Sequence, residues 1–358
     1  MTTFFTILPG TLHIKAIFTI SPLTITRVWD LELWSRSTSR TRYIRFLFNM
    51  FNSRLFKRIL PQFLTCITWS IVCVSVITNR VTTQFVPLTS LSLVSTFIGF
   101  LLTLRSNQSL GRLGEARQLW GRLFIVARDT AQMLATYIYP KDPKLGLKAA
   151  RHLSILPWLL KDHLRGTKNE DIIEAMLGGS SSSSVGDASR TDLKFVTSHR
   201  KKPAAAIARI RQIIADLSAR DLLSFAPHRQ LEQNLNEINY ILGMCERLRG
   251  SPIPPVYTSH TSRLLVFYLL FLPLALHGSE TRKFVTVLVT STVSYAMLGL
   301  DEISHVLEQP FGLMPLHQLS RNIMFDIADS FTYQPPSFRK SEEFGYPINE
   351  DQPKPSYW

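Results

Sequence analysis

Residues Val86–Gly121 read VPLTSLSLVSTFIGFLLTLRSNQSLGRLGEARQLWG. From Phe85 to Leu104 the chain runs for about 20 residues without a formal charge, enough for a helix to cross a ~30 Å hydrocarbon layer. Beyond Leu104 it turns polar and basic, yet no proline interrupts it. The spacing predicts one helix that leaves the bilayer and continues into a charged, water-facing body. An integral membrane protein is expected, with its function sought around that helix.

Averages do not decide this, because 358 residues with a net charge of +14 and 45% hydrophobic content also suit a soluble domain. Distribution does. Apolar residues gather in two blocks, 63–104 and 256–300, and the lysine and arginine excess sits beside them, as on the side of a membrane that is not translocated. No basic stripe interleaved with aromatics occurs outside these flanks, so nucleic acid is not an expected partner. The three cysteines, Cys66, Cys73 and Cys245, have neither disulfide-framework nor metal-site spacing. Cys66 and Cys73 read as small buried hydrophobes in an apolar helix.

Residues 1–35 read as an organelle-targeting presequence or a mobile amphipathic arm. In 36–59 every formal charge is positive and aromatics alternate with them. That pattern fits a basic amphipathic helix on anionic lipid, and equally a helix packed on the protein itself. The segment 60–104 is expected to form a transmembrane hairpin, its first helix opened by Pro61 and its turn at 79–84. Basic residues flank both open ends, which places those ends on the positive-inside face. A soluble helical region follows over 105–255. Within it Ile207, Ile210, Ile213, Ile214 and Leu217, and again Leu231, Leu235, Ile238, Leu242 and Leu248, recur at helical spacing. A serine-rich loop, read as disordered, is placed at about 178–192. SPIPPVYT at 251–258 cannot be regular helix and marks re-entry into the membrane. Two more spans are expected within 256–300, then a soluble helix over 301–330 and a proline-rich tail over 331–358.

The sequence contains no HExxH, GxSxG, Walker or GxGxxG motif, and its nine histidines show no ligand pairing. Neither catalytic activity nor a cofactor or metal is expected. His260, His277 and His305 read as structural, and Glu115 with Arg117 as part of an ion-pair network; Glu115 and His260 are the residues a membrane enzyme would need. Thr89, Leu93, Phe97, Leu101 and Arg105 recur every four residues and are expected to share one slowly drifting helix face. That face is either a packing seam or, with several copies around an axis, the wall of a narrow apolar tube with arginine at its basic end.

Three ordered motifs carry a resemblance. The first runs from Leu104, Arg105 and Asn107 to Glu115, Ala116, Arg117, Trp120 and Gly121; the second is PIPPVYT at 252–258; the third is DEIS…LEQPFG at 301–312. Together they resemble the bestrophin family, with details such as YTSHTSRLLVFYLLFLPLAL most similar to the voltage-dependent chloride channels of plant and algal thylakoids.

The resemblance implies an all-α membrane protein, four transmembrane helices per subunit continuous with a helical soluble region, assembled as a homopentamer. It implies an anion channel with chloride and other small anions as permeant ions, dissipating membrane potential across a thylakoid membrane of the chloroplast. The alternative is a non-conducting membrane scaffold. The second span would line the pore, with Thr89, Leu93 and Phe97 as the neck, Leu101, Arg105, Asn107, Glu115, Arg117 and Trp120 at the entrance or in the structural motif, and a second constriction at Leu235 and Asn239. Animal members follow PFG with an acidic calcium-binding cluster. Here LMPLHQL follows Gly312, no side-chain carboxylate lies between Glu308 and Asp326, and calcium gating is not expected. No arginine-rich voltage-sensor helix is present either.

Overall fold

The computed structural model describes residues 5–6, 13–14, 31–40, 43–44, 48, 53–77, 87–177, 186–277 and 283–332. Most of the presequence or arm, most of the basic segment before residue 53, the turn at 79–84, the serine run at 180–184 and the tail from 333 lie outside them. Apart from a two-residue antiparallel pair, β1 (Phe5–Thr6) with β2 (His13–Ile14), the described elements are helical. Among the described residues four helices are long and apolar enough to cross a membrane. The chain divides into two compact units.

One unit takes in 21–122 and 243–318. Its helices are α1 (Leu31–Thr38), α2 (Arg54–Val72), the first part of α3 (Leu88–Met133), the end of α8 (Phe225–Gly250), then α9 (Pro255–His277), α10 (Lys283–Glu308) and α11 (Pro310–Leu313). Three expectations are corrected here. α1 crosses the boundary expected at residue 35. α2 starts at Arg54 and not at 60, because the Ser53 hydroxyl accepts the Phe56 N–H at 3.0 Å and caps the helix. Pro61 therefore lies inside the helix; it and Lys57, whose carbonyl it leaves unpaired, both face outward, where water or headgroups can satisfy that oxygen. The fourth span does not end near 300 but continues as one helix to Glu308, so the soluble helix expected over 301–330 is instead the end of α10, the short α11 and α12 (Leu316–Thr332).

The core of this unit packs Leu91, Ile98 and Leu102 of α3 against Leu265, Tyr268, Leu269, Leu272 and Ala275 of α9. α2 and α10 meet through Phe56, Phe63 and Tyr295, with ring centroids 6.1–6.2 Å apart, and through Arg58 with Glu302 at 3.0 Å. The buried Thr286, Thr290 and Ser294 of α10 are small, which lets neighbouring helices approach closely where lipid supplies no hydrophobic drive.

The other unit takes in 1–20, 123–242 and the chain from 319, with the rest of α3, α4 (Pro143–Arg165), α5 (Glu170–Leu177), α6 (Gly186–Ser198), α7 (Lys202–Ala219), most of α8 and most of α12. Asp142 caps the start of α4 by accepting the Leu145 N–H at 3.1 Å. Gly166, at φ +70°, closes the other end in the left-handed conformation that glycine adopts without a Cβ penalty. All five spaced apolar residues of α7 are buried. Within the stretch expected as loop, only 178–185 lies outside the described residues, while 186–192 is the start of α6. The reason is Asp192. Its carboxylate accepts from Lys148 at 2.8 Å and from the Arg209 guanidinium at 2.7 Å, with His152 3.7 Å away, and this node fixes α6 to α4 and α7.

Candidate functional site

The buried face of α3 runs Leu91, Ile98, Leu102, Arg105, Ser109, Leu113, Ala116, Trp120 and Leu123, a spacing close to the 3.6 residues of the helix turn. The opposite face stays open. Within the apolar half it presents Thr89, Leu93, Val94, Thr96, Phe97, Phe100 and Leu104, none of them charged, with Leu93 75% and Phe97 55% exposed. Such a face on a spanning helix is available to lipid, to another copy or to a pore.

The stripe expected at intervals of four does not stay on that face. Each step of four advances the side chain by about 40° beyond a full turn, so Thr89 and Arg105 end about 160° apart. Thr89, Leu93 and Phe97 are open, Leu101 is half-buried, and Arg105 is 3% exposed. Arg105 therefore does not stand at the basic end of the Leu93–Phe97 face. Its guanidinium pairs with Asp301 of α10 and reaches Ser262 of α9 at 3.4 Å. Ser262 also donates to the second Asp301 oxygen at 3.4 Å, Ser106 and Ser304 share a 2.7 Å hydrogen bond, and Tyr257 donates to the Leu101 carbonyl at 3.1 Å. The first and third motifs meet in the Arg105–Asp301 pair, and the tyrosine of the second joins them.

The remaining expected residues separate. Glu115 pairs with Arg247 at 2.5 Å, Trp120 is buried, and Asn107 and Arg117 are exposed. Leu235 is 0% exposed, so it fills the core and cannot line a constriction, whereas Asn239 is exposed. The reason is again the turn of the helix: Leu231, Leu235, Ile238 and Leu242 form the inward stripe of α8, and Asn239 stands outside it. Cys245, on the same helix, has its thiol pushed up to about 12 by burial and then by the Glu115 and Glu246 charges. Among the described residues no group of three or more histidine, cysteine or acidic side chains forms a metal-holding set. Sequence reasoning missed Asp301, Ser262 and Tyr257 as partners of α3. The clustered motifs named the right segments, but nothing in the letters pairs Arg105 with a residue 196 positions away.

Residues 34–329 match the family described as Bacterial/Fungal Bestrophin protein. The chain belongs to the bestrophin family. A relative named voltage-dependent chloride channel 1, chloroplastic, of Arabidopsis thaliana is 26% identical over 306 residues, 80% of this chain and 69% of the relative. A voltage-dependent anion channel-forming protein of Ralstonia nicotianae is 27% identical over 266 residues, 71% and 81% of the two chains. Plant and bacterial relatives thus stand at similar identity to this bestrophin. A crystal structure of a bacterial bestrophin homolog from Klebsiella pneumoniae shares its fold, with a TM-score of 0.69 and 24% identity over 77% of this chain and all of that one. The family and its channel-named members point to a channel rather than an enzyme. Glu115, one of the two residues kept for an enzyme, is engaged by Arg247.

Proposed function

We propose that this chain is an anion channel, with chloride as the chief permeant ion, working as a homopentamer in which α3 lines the pore. The observation that carries this is the uncharged open face of α3, where large apolar side chains at Leu93 and Phe97 project from a spanning helix that is buried on its other side. Around an axis these would form a narrow neck with Thr89, which passes ions according to wetting and dehydration. The names of the plant and bacterial relatives support anion selectivity and voltage dependence. Asn239 is the remaining candidate for a second constriction. A chloroplast membrane is supported by Arabidopsis relatives named chloroplastic, and dissipation of membrane potential at the thylakoid is the finer proposal within it.

Purified protein in planar bilayers under a chloride gradient tests the reading. Reversal near the chloride equilibrium potential is expected. Cation selectivity overturns it, and no conductance leaves the chain a membrane scaffold.

A further inference from the structure

Two turns beyond Arg105, the guanidinium of Arg112 donates to three backbone carbonyls: Nε to Glu308 at 3.1 Å, Nη1 to Ser251 at 2.6 Å and Nη2 to Leu248 at 2.6 Å. Leu248 lies in the last turn of α8, Ser251 opens the link to α9, and Glu308 ends α10. Helix C-termini leave carbonyls without partners and carry partial negative charge, and a rigid fork of five N–H donors matches several such acceptors at once. The Glu308 carboxylate in turn accepts the Ile253 N–H at 3.1 Å. In the link Pro252–Pro255 that is the one backbone donor, because the other three residues are proline. At the next turn of α3, Glu115 holds Arg247 at 2.5 Å. One helix is thus fastened to the ends of two others and to the link between α8 and α9, largely through backbone atoms.

We infer that Arg112 is the positioning residue that sets the height and rotation of α3, and so keeps Leu93 and Phe97 in the neck. This rests on α3 lining the pore. The geometry gives the effect its size: Phe97 lies about 22 Å along the axis from Arg112, so a tilt of about 5° there displaces the ring by about 2 Å. In a constriction made by side chains, that is enough to separate dry from wet. The carbonyl acceptors are fixed by their helices, so the clamp depends on the shape of the donor and not on charge alone. Lysine, a compact point charge on a flexible stem, reaches fewer of them.

Single-channel recording of Arg112→Ala, Arg112→Lys and Glu308→Ala beside the wild-type chain tests this. Arg112→Ala raises the open probability by about threefold or more, Arg112→Lys by an intermediate factor and Glu308→Ala, which frees only the link, by the least. The fully open conductance and the anion selectivity stay as in the wild type, a separation that general loss of structure does not produce. Where Arg112→Ala fails to assemble, the other two variants decide. Wild-type current with unchanged or lowered open probability in the variants overturns the role of Arg112 alone. No current from the wild type overturns the channel reading, and this inference with it.

Discussion

The two halves of α3 share one backbone and one buried period but meet different surroundings. From Leu88 to Leu104 neither face carries a charge, and the open face shows Leu93, Phe97 and Phe100. From Arg105 to Met133 charge returns to both faces: Arg117, Arg122 and Arg128 stand outward, and Arg105 is turned inward against Asp301. The change falls at Arg105. A helix with the pattern of its first half throughout would stay in hydrocarbon, and one with the pattern of its second half throughout could not enter it. The buried ion pair marks where α3 stops being a spanning helix and becomes part of a polar, hydrogen-bonded assembly.

Breaking that pair is expected to have the largest effect on stability. Arg105→Ala leaves Asp301 without its partner and lowers stability by about 4 kcal/mol, read as thermal unfolding in detergent. Arg105→Met with Asp301→Leu recovers most of the loss, because two well-packed apolar groups replace a desolvated pair. Equal unfolding of Arg105→Ala and wild type would mean the pair does not anchor the changeover.

The same contrast of inward and outward faces separates two residues of α8. Leu235→Ala opens a core cavity and costs about 3 kcal/mol while open-channel conductance stays unchanged. Asn239→Ala shifts stability by no more than about 0.5 kcal/mol, and a change in current would place it on the ion path.

The Asp192 node gives a smaller, pH-dependent effect in the other unit. Burial, foremost, and then the Lys148 and Arg209 charges push the His152 imidazole below its usual range, against the pull of Asp192. A base held neutral in the fold contributes stability above its unfolded pKa of about 6.5, and this is lost as pH falls from there toward the folded value. His152→Gln is expected to flatten the fall in unfolding temperature as pH drops below about 6.5. An unchanged slope assigns the dependence elsewhere. Burial of Asp192 opposes its ionisation, but the imidazole of His152 at 3.7 Å and the Lys148 ammonium at 2.8 Å outweigh it and hold the carboxyl below its ordinary range. That part of the stability is present above about pH 4 and lost in stronger acid. The smallest effect is at Cys245, whose raised pKa leaves little thiolate; thiol reagents at neutral pH should label it negligibly while the chain is folded.

Much of the fold was legible because it rests on repetition. The inward stripes of α7 and α8 and the uncharged run of α3 are visible in the letters, since burial selects apolar residues at the helix period. Three things were not. A spacing of four was read as one face, although over sixteen residues its drift carries Arg105 to the opposite side. Asn239 is only about 40° around the helix from buried Leu235 but about 100° from buried Ile238, so motif likeness alone could not tell core from surface. Asp192 sits just after a serine run whose composition reads as loop, and only its tertiary partners Lys148 and Arg209 make that segment a helix. At the candidate site, sequence marked the open residues of α3 and the segments that anchor it, while long-range geometry supplied the pairings.

In the proposed channel Leu93 and Phe97 face the ion path. The most direct test is the current–voltage relation of wild type and Phe97→Ala in planar bilayers under the same chloride gradient. Reversal near the chloride potential is expected for both, with a larger current for Phe97→Ala, whose neck is wider. Identical currents from the two proteins, or reversal at the cation potential, would contradict it.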